Sequence, residues 1–300
     1  MKVEDIVSGG TARTKTRNVR NQRKTSAGFT KLKEHGMEGV GSIHVSEIAP
    51  TLARLEKDLS VDLQNNVLGS VGKKEFSGDI DVAMMIPDDE IAEFIKKVST
   101  SDIVELARRG PLVVISRVKI QNYDPTLVTE KKRTGYVQVD FMIDQDPAWL
   151  KTFYHSPTET ESNYKGAHRN IVLGALTKHV DPISSKEKTI DGRPLEIERF
   201  MFSSKKGLVR VIRKPVPKKN GDGYTKAWTN KVIAGPWKTG DEIAAKLNLG
   251  TAADLNSFET VFAAIKQNLG TKIASKVAND LSNDKWIQNA GLPDEAKEYL

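Results

Sequence analysis

Two aspartates stand one residue apart in Ser77-Gly78-Asp79-Ile80-Asp81-Val82, and a third follows in Val137-Gln138-Val139-Asp140-Phe141. Both stretches alternate along the two-residue period of a strand. Asp79 and Asp81 are thus expected on one strand face, with Ile80 and Val82 on the buried one. In the later stretch Val137, Val139, Phe141 and Ile143 share one face and Gln138, Asp140 and Met142 the other, so Asp140 is expected to point out of the core. Three carboxylates offer only oxygen ligands and leave octahedral positions for water and triphosphate oxygens, which suits Mg2+ or Mn2+. Two such ions can activate an attacking hydroxyl and stabilise a leaving pyrophosphate. Asp79, Asp81 and Asp140 are therefore candidate catalytic residues and candidate metal ligands together.

A glycine-serine turn, Gly69-Ser70, precedes the first pair. Glycine lets backbone amides approach a phosphate closely, and the serine adds a hydroxyl donor. Gly69 and Gly72 are too close together for a Walker A loop, which removes P-loop kinases and ATPases.

Gly69-Ser70, eight residues, then Asp79-Ile80-Asp81, with Asp140 on a later strand, resembles the signature of the DNA-polymerase-beta-type nucleotidyltransferase superfamily. The likeness spans roughly residues 44–145. It implies that Asp79 and Asp81 bridge two metal ions and that Asp140 completes the site activating the acceptor. Gly69 and Ser70 would hold the triphosphate of ATP or another nucleoside triphosphate. The repair polymerases of that superfamily carry Phe-Arg-Arg-Gly after the Gly-Ser, where this chain has Val71-Gly72-Lys73-Lys74, and Lys73 is the candidate for the missing positive charge. The superfamily's helical lobe commonly brings basic groups to the triphosphate and an aromatic to the base. Tyr164, Lys165 and Arg169 are the candidates here, with Lys165, His168 and Arg169 expected on one polar helix face opposite Ala167 and Ile171.

The implied fold is α+β: a small mixed β-sheet flanked by helices, then a mainly helical C-terminal lobe. The residues themselves predict a helix over 46–59 with Pro50 in its first turn, a strand over 79–86, and a helix opening at 87–90. They further predict a helix over 101–109 stopped by Gly110, and an antiparallel pair over 112–120 and 136–143. Beyond Asn163 a helix is expected, then a β-hairpin over 207–214 and 224–233, then helices to the end. Expected domain limits are a basic arm at 1–35, expected to be disordered, a catalytic domain at 36–160 and a C-terminal domain at 161–300.

Charge says more about partners than about fold. Residues 1–33 hold nine basic side chains against two acids, so the whole formal charge of +7 sits in that arm and the remainder carries 37 of each sign. Within the remainder, residues 165–240 hold 17 Lys and Arg against 6 Asp and Glu. Such basic segments beside a carboxylate site suggest a polyanion, because each cation placed near a phosphate releases a counterion. A nucleic-acid 3′ end, with RNA favoured, is therefore the expected acceptor; a protein or small-molecule hydroxyl is the alternative. A third reading is a nucleic-acid-binding protein without catalysis. The chain has no cysteine, which excludes disulfides and thiolate chemistry and fits a reducing cytoplasm. With no apolar run of membrane-spanning length, no membrane partner is expected.

Overall fold

The computed structural model describes residues 37–300 apart from positions 110–112, 131, 190 and 222, so the expected basic arm lies outside the described residues. The chain forms two compact units that meet in sequence at Pro147 and Ala148.

The first unit begins with strand β1 (Ile43–His44) and helix α1 (Val45–Leu59). It continues through β2 (Phe76–Ser77), β3 (Asp79–Met84), helix α2 (Ile91–Thr100), β4 (Val104–Arg109), β5 (Val113–Lys119) and β6 (Tyr136–Ile143). Its main sheet runs β3-β6-β5-β4, with β3 parallel to β6 and the other pairs antiparallel. It is thus a small mixed sheet.

Helical and strand periodicities meet in one core. Ile48, Leu52, Leu55 and Leu59 recur at the spacing of a single face of α1, and Ile91, Phe94, Ile95 and Val98 do the same on α2. They pack with Ile80, Val82, Val137, Val139 and Phe141, which come from alternate positions of β3 and β6 and are all 0% exposed. Phe94 meets Phe141 edge to face at 5.3 Å. Each such fully buried side chain contributes about 1.5–3 kcal/mol. With helices on this face, β3 and β6 turn their other positions to the opposite side of the sheet.

Two expectations fail in this unit. Residues 101–109 do not form a helix: Val104–Arg109 is the edge strand β4, paired antiparallel with β5. Ion pairing of Glu105 with Arg117 across that pair, and burial of Val104 and Ala107, outweigh the helix preference of Glu-Leu-Ala-Arg. Pro50 sits inside α1, beyond its first turn; the helix starts one residue earlier than expected, capped by the His44 side chain.

The second unit contains α3 (Pro147–Phe153), α4 (Gly166–Leu176), β7 (Ile183–Ser184), β8 (Ile197–Ser203), β9 (Gly207–Pro217), β10 (Tyr224–Trp237), α5 (Gly240–Leu247), α6 (Phe258–Ala264) and α7 (Thr271–Ser282). Short helices over Lys285–Ala290 and Asp294–Lys297 follow. The expected hairpin is β9 and β10, but it belongs to a four-stranded antiparallel sheet ordered β10-β9-β8-β7. The boundary falls earlier than residue 160 for a packing reason. Trp149 and Phe153 of α3 lie 5.9 and 5.2 Å from Phe202 of β8, and the Trp149 indole N–H donates to the Ser204 carbonyl. Among the described residues no helix is long and apolar enough to cross a membrane.

Candidate active site

Parallel pairing of β3 with β6 sets Asp81 directly opposite Asp140, and Asp79 opposite Gln138. Directly paired residues share a sheet face, so the three carboxylates gather on the side away from the helical core. Asp79 is exposed and Asp81 half-buried, while Asp140 is only 7% exposed. Asp140 therefore faces away from the main core, as expected, yet is covered rather than open. A smaller apolar cluster explains this: Met37, Val113 and Ile115 pack with Val40, Leu106 and Met142. Ile115 and Met142 lie on the same sheet face as Asp140, one opposite it on β5 and the other two residues along β6.

The electrostatics follow from this placement. Burial pushes the Asp140 carboxyl up to about 7, opposed by the Gln138 hydrogen bonds and reinforced by the charge of Asp79. Burial, then Asp79, then Asp140 hold Asp81 well above the ordinary carboxylate range. Three carboxylates that disfavour one another's charge form a concentration of negative potential that a cation relieves.

Strand alternation puts Gln138 on the same face as Asp140. Its amide nitrogen donates to both Asp140 oxygens, at 2.9 and 3.1 Å, and its own oxygen accepts the Met37 N–H at 3.0 Å. It fixes the Asp140 carboxylate from the neighbouring same-face position, a positioning role that only alternation could have suggested.

The glycine-serine turn reaches the same place. Val67 bridges antiparallel to Val82, and the Leu68 N–H donates to the Asp81 carbonyl at 2.8 Å. The chain thus enters Gly69 alongside β3. Gly69 has φ of +67°, and a Cβ there would lie 3.8 Å from Asp81 Oδ2. The left-handed backbone is what calls for glycine here; a Cβ would meet the carboxylate only at ordinary contact distance. The turn closes through Lys73 N–H to the Ser70 carbonyl at 3.2 Å and Gly72 N–H to Ser77 Oγ at 3.3 Å. Ser70 and Lys73 are both half-exposed.

The second constellation departs from its expectation. Arg169 is 5% exposed and falls in line with Val172, Leu173 and Leu176, the buried stripe of α4, and not on a solvated face. Its guanidinium donates to the Thr152, Phe153 and Leu255 carbonyls and to Asn170 Oδ1. It thereby satisfies carbonyls at the end of α3, and burial pushes it down to about 10. Arg169 is an internal strut, and it leaves the set of triphosphate candidates. Tyr164 accepts the Asp294 N–H on its hydroxyl at 3.2 Å and packs 5.4 Å from Phe258. Lys165 occupies the N-cap position of α4 and is exposed. His155 bonds Asn256 at 2.6 Å, and His168 accepts the Lys165 N–H at 3.2 Å.

Magnesium or manganese fits this donor set in kind: every candidate ligand is a carboxylate oxygen, and the three share one sheet face where a cation would relieve their mutual repulsion. Among the described residues no three His, Asp or Glu side chains already converge as a metal-binding group. No protein-family model matches the chain, and no curated protein matches it.

Proposed function

We propose that the chain is a metal-dependent nucleotidyltransferase of the polymerase-beta type, moving a nucleoside monophosphate from its triphosphate to an acceptor hydroxyl. The observation that carries this reading is the alignment of Asp81 with Asp140 across two parallel strands, with the Gly69-Ser70 turn packed against Asp81. In the reaction the acceptor oxygen bonds to the α-phosphorus, the α–β bridging bond breaks, and pyrophosphate leaves. Asp79, Asp81 and Asp140 would hold the ions. When bound, these supply charge neutralisation for the triphosphate and a lowered pKa for the acceptor hydroxyl. Asp140 is the side chain assigned to receive the acceptor proton, with Gln138 fixing its orientation. Gly69 supplies close backbone approach to phosphate, Ser70 a hydroxyl donor and Lys73 a positive charge. Tyr164 and Lys165 stay as weaker nucleotide-contact candidates, resting on the resemblance alone.

The acceptor favoured by the charge distribution is a nucleic-acid 3′ end, RNA before DNA. The test is a transfer screen with each α-labelled ribonucleoside triphosphate, Mg2+ or Mn2+, and RNA, DNA, total protein or small metabolites as acceptors. Label moving to RNA, and lost in Asp79→Ala and Asp81→Ala, is the expected result. Label on protein or a small molecule would keep the chemistry and replace the acceptor. No transfer in any combination would sink the proposal.

A further inference from the structure

Two arginines flank one tryptophan in the second unit, and a third stands diagonal to one of them on the same sheet face. Arg213 on β9 lies opposite Ile197 on β8, and Arg199 lies two residues further along β8, so the two arginines are diagonal neighbours on one face. Trp228, opposite Pro215 on β10, shares that face. The Arg213 guanidinium stands 5.2 Å from the Trp228 ring centre and that of Arg193 5.8 Å. Two of the three are oriented: Arg213 Nε donates to Asn230 Oδ1 at 2.8 Å, and Arg193 pairs with Asp191 at 2.7 Å.

Arg199 is the unusual member. Its Nε is buried with no hydrogen-bond partner among the described residues. Burial, then the like charge of Arg213, press the guanidinium down to about 10. Asp280 is the carboxylate whose charge reaches it, and that carboxylate is already engaged by Lys178 at 2.8 Å and His179 at 3.2 Å. A half-buried cation with an idle donor beside a second cation is costly unless an anion joins them. The surroundings repeat the sign: residues 204–240, which include β9 and β10, hold ten Lys and Arg against the single Asp222. Most of β10 is exposed.

We propose that Arg199, Arg213 and Trp228 form a binding site for single-stranded nucleic acid, with the two guanidinium groups on consecutive phosphates and the indole beside a base. Guanidinium forks match phosphate oxygens in pairs, and an aromatic among cations stacks bases of any identity. The site deepens the acceptor reading above and rests on it only for the strand's role as acceptor; binding itself needs neither metal nor turnover.

The test is fluorescence anisotropy of a labelled single-stranded RNA in EDTA across a salt series. Arg199→Gln/Arg213→Gln is expected to weaken binding about tenfold and to lower the log–log salt slope by about 1.4, two phosphates' worth. Arg213→Gln alone, if the double variant does not fold, should lower the slope by about 0.7. Lys96→Gln/Lys97→Gln removes equal charge from α2 and should leave affinity within about twofold. Wild-type affinity and slope in a folded arginine variant would overturn the proposal. So would an equal loss in the lysine control, or tighter binding of polyglutamate than of RNA. Catalysis can fail while this binding stands, and the reverse, so the two proposals are separately exposed.

Discussion

Asp140 carries the tightest constraint at the residue scale, because it is covered by an apolar cluster, faces Asp81, and is held by Gln138. Its raised pKa has a signed consequence. Between the unfolded carboxylate value of about 4 and the folded value of about 7, the metal-free folded chain keeps a proton that the unfolded chain has released. Stability of the metal-free protein should therefore fall as pH rises through that window, by at most about 4 kcal/mol from this group. Thermal unfolding in EDTA from acid to pH above neutrality should show that loss. Asp140→Asn should lessen it, Asp81 keeping its own share, and melt above wild type at the alkaline end; an unchanged profile would remove Asp140 from the electrostatic account. All three aspartates were legible in the sequence because strand alternation is unambiguous there. The covering of Asp140 was not, since it depends on Met37 and Val113, which come together with it only through the sheet order.

At the scale of elements, the start of α1 is tied to distant backbone by one buried pair. Glu47 is 1% exposed and accepts the His44 and Asp124 N–H groups at 3.0 and 2.9 Å, with Arg133 Nη1 and Nη2 at 3.1 and 2.7 Å. The same guanidinium lies over the rings of Tyr123 and Phe76, and Phe76 stands in β2, three residues before Asp79. Removing one partner strands the other charge, so Glu47→Gln or Arg133→Met should each cost about 3–5 kcal/mol in urea unfolding. Losses under about 1 kcal/mol would show that the pair is a bystander. The pair illustrates what sequence withholds: nothing in the spacing of Glu47 and Arg133 marks them as partners. Elements with a strong period, such as α1 and β6, were read nearly to their ends. The strand β4 was read as a helix because its partner strand, not its own residues, decides its state. Charge puts Arg169 on a polar, triphosphate-facing side in the sequence, but its place in the stripe with Val172 and Leu176 buries it.

At the scale of the whole molecule, the acid-rich site and the cation-rich sheet belong to different units, one on each side of Pro147. The sequence already divided the charge this way, but it showed the second sheet only as a hairpin. The β8 strand, Ile-Glu-Arg-Phe-Met-Phe-Ser, alternates weakly because Glu198 and Arg199 lie on opposite faces and neither is fully exposed. The central claim, that three aspartates make one nucleotide-dependent metal site, is met most directly by Mn2+ electron paramagnetic resonance with a non-hydrolysable triphosphate. Wild type should take up Mn2+ more tightly with nucleotide than without it. Asp79→Asn, Asp81→Asn and Asp140→Asn should each weaken that uptake by about tenfold or more, about 1.4 kcal/mol. Mn2+ uptake that ignores nucleotide, or that survives all three substitutions, would contradict it.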